Sequence, residues 1–136
     1  MNAPVRPAVL DRDGITRLVH GFYADVRADA LLAPVFDDAI GAHWDLHLAR
    51  MVEFWSTVML ASKSFQGNVF GKHMALEGVT PAHFTRWTGL WQRHTEALFS
   101  AEVAREFQGV AWNIARNLFH GYFDQWPGQE TVPANT

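Results

Sequence analysis

The chain has no cysteine, which excludes disulfides, thiolate zinc sites and cysteine nucleophiles. It has no apolar run approaching the roughly eighteen residues of a membrane span. The opening MNAPVRPAVLDRD carries two prolines where a signal peptide has an apolar core, so a soluble cytoplasmic protein is expected. Lys and Arg form no cluster and the net charge is -3, so neither nucleic acid nor membrane is an expected partner. The ten glycines include no Gly-Gly pair. What the chain does have is apolar and aromatic. Nearly half of its 136 residues are hydrophobic, enough for one sizeable core, and six Trp and ten Phe stand against two Tyr.

No stretch alternates with period two, and the apolar positions instead recur at helical spacing, so the domain is expected to be all-α. Residues 1–10, with Pro4 and Pro7, read as a flexible arm, 11–126 as the domain and 127–136 as a flexible tail. Asp11 or Asp13 can cap a first helix whose stripe is Ile15, Leu18, Val19, Phe22, Tyr23 and Val26, to about Ala28. ALLAPVFDDAIGAH reads as one or two short turns, with Pro34 disfavouring helix at Ala33 and Gly41 suited to an end. A long helix over His43–Ala61, on the order of 28 Å, carries Trp44, His47, Leu48, Met51, Phe54, Trp55 and Val58 on one face. After a polar, glycine-containing loop comes a short apolar piece, Phe70 to Leu76, closed by Gly78. Thr80-Pro81 starts a helix with the stripe Phe84, Trp87, Trp91, Thr95 and Leu98. Ser100 caps a last helix, with Val103, Phe107, Val110, Ile114, Leu118 and Tyr122 inward, to about Gln125.

Seven histidines are the reservoir of chemistry. His20, His83, His94 and His120 lie beside polar residues and read as solvated or hydrogen-bonded. His43 and His47 have the i, i+4 spacing at which two imidazoles can share zinc. No glutamate follows His43, however, so the metalloprotease helix motif is not matched. His47 stands inside an oily face, and the helices bearing Tyr23, His47 and Trp87 each turn one polar-tipped ring inward. Buried Tyr and Trp need partners for O–H and N–H, and a polar ligand in a shared pocket would provide one. His73 alone, in FGKHMAL, reads as an ordinary core or surface histidine.

FYADVR around Tyr23, PVF ending at Phe36, HWDLHLARMVEFW around His47, FGKHMAL around His73 and FTRW ending at Trp87 together resemble the group III truncated haemoglobins. The likeness runs over roughly residues 12–125, and the lack of a Gly-Gly pair fits it. It implies a truncated globin fold, a two-over-two helical sandwich around haem b. His73 is then the proximal iron ligand, Tyr23, His47 and Trp87 are the distal residues, and Phe36 packs on the porphyrin. Arg50 is placed to meet a haem propionate. Met51 stands at a pocket position where aliphatic residues are common, and Phe54, Trp55, Phe70 and Leu76 complete the cofactor contacts.

The implied function is binding of oxygen, and of NO or CO, at a five-coordinate iron beneath a polar distal pocket. Two or three hydrogen-bond donors there should slow release. The alternative is a haem enzyme with peroxidase or nitric oxide dioxygenase activity, which needs an external reductase because the chain carries no second, electron-supplying domain. A third reading is a haem-free helical interaction module whose aromatic stripes are simply core. Nothing in the sequence requires more than a monomer.

Overall fold

The structure, a computed structural model, describes residues 7–60 and 77–124. The expected loop after Leu60, with Phe70, His73 and Leu76, lies outside the described residues, as do 1–6 and 125–136. Among the described residues there are five helices and no strand: α1 Arg12–Ala28, α2 Ala33–Ile40, α3 Trp44–Leu60, α4 Pro81–Leu98 and α5 Ala101–Phe123. None is long and apolar enough to cross a membrane.

Helix starts follow local chemistry. Asp11 caps α1, its Oδ1 accepting from Gly14 N at 2.8 Å. Thr80 precedes Pro81 at the head of α4, and His83 Nδ1 accepts from Thr80 N at 3.0 Å, as a capping box does. Ser100 caps α5 through Val103 N. The segment expected to hold short turns is one continuous helix of eight residues, α2. Pro34 sits in its first turn, where the missing N–H costs nothing, and Gly41 ends it at φ +58°.

Helix α1 packs against α3 on one side and α4 on the other, and α4 and α5 form an antiparallel pair joined by two residues. The layers are thus α1 with α3 over α4 with α5. Ile15, Val19, Phe22 and Val26 of α1 are fully buried between them. Phe22 is the hub, its ring centroid 4.9 Å from Tyr23, 5.0 Å from Trp91 and 6.5 Å from Trp87. Trp91 stacks on Trp55 at 4.6 Å and donates its indole N–H to Phe107 O, so α3, α4 and α5 meet at one buried point.

The buried face of α3 differs from the expected stripe. Val52 and Ser56 are buried, while Val58 is 40% exposed. A helix lying against α1, with Trp55 turned toward α4 and α5, is covered along a line one step round from the most hydrophobic one. On α5 the stripe likewise runs through Ala104, Phe107, Ala111, Ala115, Leu118 and Phe119. Val103, Val110 and Ile114 sit at its margin. Alanines let two helices approach closely, and that contact, not side-chain size, selects the face.

Polar links fix the corners. Ala8 N donates to Leu98 O at 2.8 Å, tying residues 8–10 to the end of α4. Arg12 pairs with Glu53. Asp25 pairs with His94, and Asp29 with Arg86, both at 2.6 Å.

Candidate ligand pocket

Tyr23 lies at the edge of the α1 stripe, where it reaches α3, and is 6% exposed. Its ring stands edge-on to His47 at 4.8 Å, to Trp44 at 5.9 Å and to Phe36 at 6.2 Å. Three helices therefore converge on one phenol. Among the described residues its O–H makes no hydrogen bond. Burial pushes the Tyr23 phenol well above its usual pKa, so it is a neutral O–H donor throughout the working range.

His47 is half-buried on α3, facing Tyr23, whereas His43 one turn earlier is exposed. Trp44 sits 5.6 Å from His47, nearly perpendicular to it. Its indole N–H donates to Asp37 Oδ1 at 3.1 Å, and the Arg27 guanidinium lies 4.6 Å above its ring. The sequence places Trp44 on the α3 stripe and gives it no role in the site. The available signal was its i, i+3 spacing from His47, which puts both on one face.

Phe36, together with Phe84 and Trp87 of α4 and Leu118 and Tyr122 of α5, walls an apolar cleft. It holds about 410 Å³ of empty space, part of it open to solvent. Phe36 belongs to both groups: one wall of the cleft, and the ring in front of Tyr23 and His47. Trp87 reaches the same neighbourhood across Phe22. The structure thus brings Tyr23, His47 and Phe36 together, with Trp87 on the far wall.

The other residues read from the sequence lie further off or outside. Trp55 is in the deep core, stacked on Trp91 and 5.6 Å from Phe107. Phe54 is half-buried beside it, at 5.2 Å. Met51 packs on the core margin and Arg50 is exposed. His73, Phe70 and Leu76 lie outside the described residues. No group of three metal-ligating side chains occurs among the described residues.

Of the four histidines read as polar fixtures, His83 completes the α4 cap, His94 binds Asp25, His20 is exposed and His120 is half-buried on α5. Ser56 of α3, 1% exposed, has a hydroxyl with no partner among the described residues.

An apolar, aromatic-walled cleft with a neutral phenol and an imidazole behind one wall is thus set in a two-over-two helical sandwich. No family model matches the chain. Among curated proteins it is 28% identical over 119 residues to the group 3 truncated hemoglobin ctb of Campylobacter jejuni, across 83% of this chain and 94% of that one. Among solved structures it superposes on the group III truncated hemoglobin from Campylobacter jejuni with a TM-score of 0.82 at 24% identity. That match covers 88% of this chain and 96% of the other. The fold is a truncated globin fold, and the resemblance to the third group read from the motifs is borne out.

Proposed function

We propose that the chain is a haem-binding globin that captures oxygen, and also NO and CO, at a five-coordinate iron. The observation that carries this reading is Tyr23: a buried phenol edge-on to His47, behind an apolar cleft walled by Phe36, Phe84 and Trp87. The residues fit a flat, largely apolar group with one polar ligand. Phe36, Phe84 and Trp87 offer rings to its face and edge, and the Tyr23 phenol is a neutral donor behind them.

When bound, haem b would supply a ferrous iron able to take up a diatomic ligand. His73 holds the iron. Phe36 would pack on the macrocycle, exposed Arg50 would meet a propionate, and Met51, Phe54, Phe70 and Leu76 would complete the contacts, whereas Trp55, expected from the sequence to join them, is taken up by its stack on Trp91 in the core. Tyr23 donates its O–H to the captured molecule, and His47 and Trp87 are the further N–H donors. Burial keeps Tyr23 protonated, so its donation needs no change of charge state. In a water-poor site each donor to a partly charged acceptor contributes about 1.5–3 kcal/mol, roughly 10- to 150-fold in release rate. Such a pocket retains its ligand. The protein therefore works as a trap more than as a carrier, and any steady turnover draws its electrons from a separate reductase.

The test is the visible absorption spectrum of the purified chain and of His73→Ala, ferric and then ferrous, with and without carbon monoxide. The expected result is a Soret band in the wild type that is lost or grossly altered in the variant. An unchanged spectrum moves the iron ligand away from His73. No band after expression with adequate haem refutes the reading in favour of a haem-free helical module.

A further inference from the structure

The position of His47 is set by more than its own helix. Three rings form a closed triangle: Tyr23 to His47 at 4.8 Å, His47 to Trp44 at 5.6 Å, and Trp44 to Tyr23 at 5.9 Å, all edge to face. The imidazole is held between a phenol from α1 and an indole from the preceding turn of α3. A histidine at such a place has two directions open, inward to the phenol or outward to solvent, and the indole fills the space beside it on the N-terminal side. Its ability to do so depends on where the indole itself is fixed.

Trp44 is fixed from outside. Its N–H is tethered to the Asp37 carboxylate on α2, and its face is covered by the Arg27 guanidinium at the end of α1. Both charged residues are exposed, while the indole between them is 6% exposed. A tethered, charge-covered indole has one orientation, and that orientation keeps its edge against both His47 and Tyr23.

We infer that Trp44 is a positioning residue for the distal donors, and that the Asp37 tether at the surface holds His47 inward against Tyr23. This rests on the distal assignment of His47 proposed above. With the tether cut, the indole gains freedom, the imidazole samples an outward position, and the captured ligand loses one donor for part of the time.

The experiment uses the haem-loaded full chain and reads the C–O stretching band of its ferrous carbon monoxide complex, which reports the donors beside the ligand. Wild type, His47→Ala, Trp44→Phe, Asp37→Ala and Asp37→Asn are compared, with thermal unfolding as a control for folding. Asp37→Ala changes an exposed side chain and keeps the indole. It therefore decides the matter even where Trp44→Phe fails to fold. Asp37→Asn retains an acceptor oxygen for the indole. The inference expects a second band in Asp37→Ala and Trp44→Phe, at the position seen in His47→Ala, and a wild-type band in Asp37→Asn. Oxygen release in Asp37→Ala should rise about two- to tenfold, the worth of one aromatic pairing. A wild-type band in Asp37→Ala, with His47→Ala shifted, overturns the positioning role and leaves the distal reading standing. So does a new band that does not coincide with that of His47→Ala. An unshifted band in His47→Ala itself refutes the distal role of His47 and this inference together.

Discussion

Replacing Tyr23 by phenylalanine should leave stability nearly unchanged while it weakens ligand retention. The ring is held edge-on by Phe22, Phe36, Trp44 and His47, and all four contacts survive loss of the hydroxyl. The hydroxyl, in contrast, has no hydrogen bond among the described residues. The haem-free variant should therefore keep wild-type stability to within about 1 kcal/mol. In the haem-loaded protein the same change removes a donor worth about 1.5–3 kcal/mol, and oxygen should leave roughly 10- to 150-fold faster. Calorimetry of the haem-free chain and stopped-flow release from the loaded one measure the two effects. A haem-free variant less stable than wild type by clearly more than about 1 kcal/mol means that the hydroxyl is satisfied without ligand, and the reasoning fails at its first step. The phenol also has a pH consequence of definite sign. Its folded pKa is raised by burial, so its contribution to stability is complete below about pH 10, the unfolded value, and is lost as pH rises further. Tyr23→Phe should resist alkaline unfolding better than wild type does.

Gly14→Ala should destabilise by about 1–3 kcal/mol, because a Cβ there would come within 2.4 Å of Val9 O and 3.2 Å of the Phe99 ring; chemical denaturation measures it. Phe22→Ala should cost about 3–5 kcal/mol, and a variant losing less than about 1 kcal/mol would show that the ring hub closes over the cavity. Asp29→Ala should cost about 1–3 kcal/mol, since its carboxylate accepts from Leu31 N, Leu32 N and Arg86 at once. Burial pulls the Asp29 pKa up, but the Leu32 N–H, the Arg86 guanidinium and the Leu31 N–H together outweigh it and leave it lowered. Its stabilisation is therefore complete above about pH 4 and fades as pH falls through the lowered folded value, a slope that Asp29→Ala should lack.

What could be read from the sequence was local. The caps at Asp11, Thr80-Pro81 and Ser100 need only side chains within three residues of a helix start, and all three form. The inward face of α1 was equally plain, because it is covered from both sides and its most hydrophobic line is also its central one. The faces of α3 and α5 were misjudged for one physical reason. Small residues such as Ser56, Ala111 and Ala115 carry little hydrophobic signal yet mark where helices come closest, and closeness depends on the partner helix. Within the candidate site, the convergence of Tyr23, Phe36 and His47 follows the motif spacing. The anchoring of Trp44 does not, because Arg27 and Asp37 come to it from two other helices and carry no helical periodicity with it. Trp55 is the converse case: its place on the α3 stripe says nothing of the distant Trp91 on which it stacks.

That stack gives the molecule an optical gauge of its own packing. Two indoles 4.6 Å apart and tilted by 24° couple strongly, one riding on α3 and the other on α4. A chiral, fixed pair of this kind produces near-ultraviolet circular dichroism only while the two helical layers remain docked, whereas the far-ultraviolet signal survives as long as the helices do. Preparations with and without cofactor can therefore be compared for the integrity of the sandwich with no label attached. A loss of the near-ultraviolet band alone marks layers that have slipped apart around intact helices.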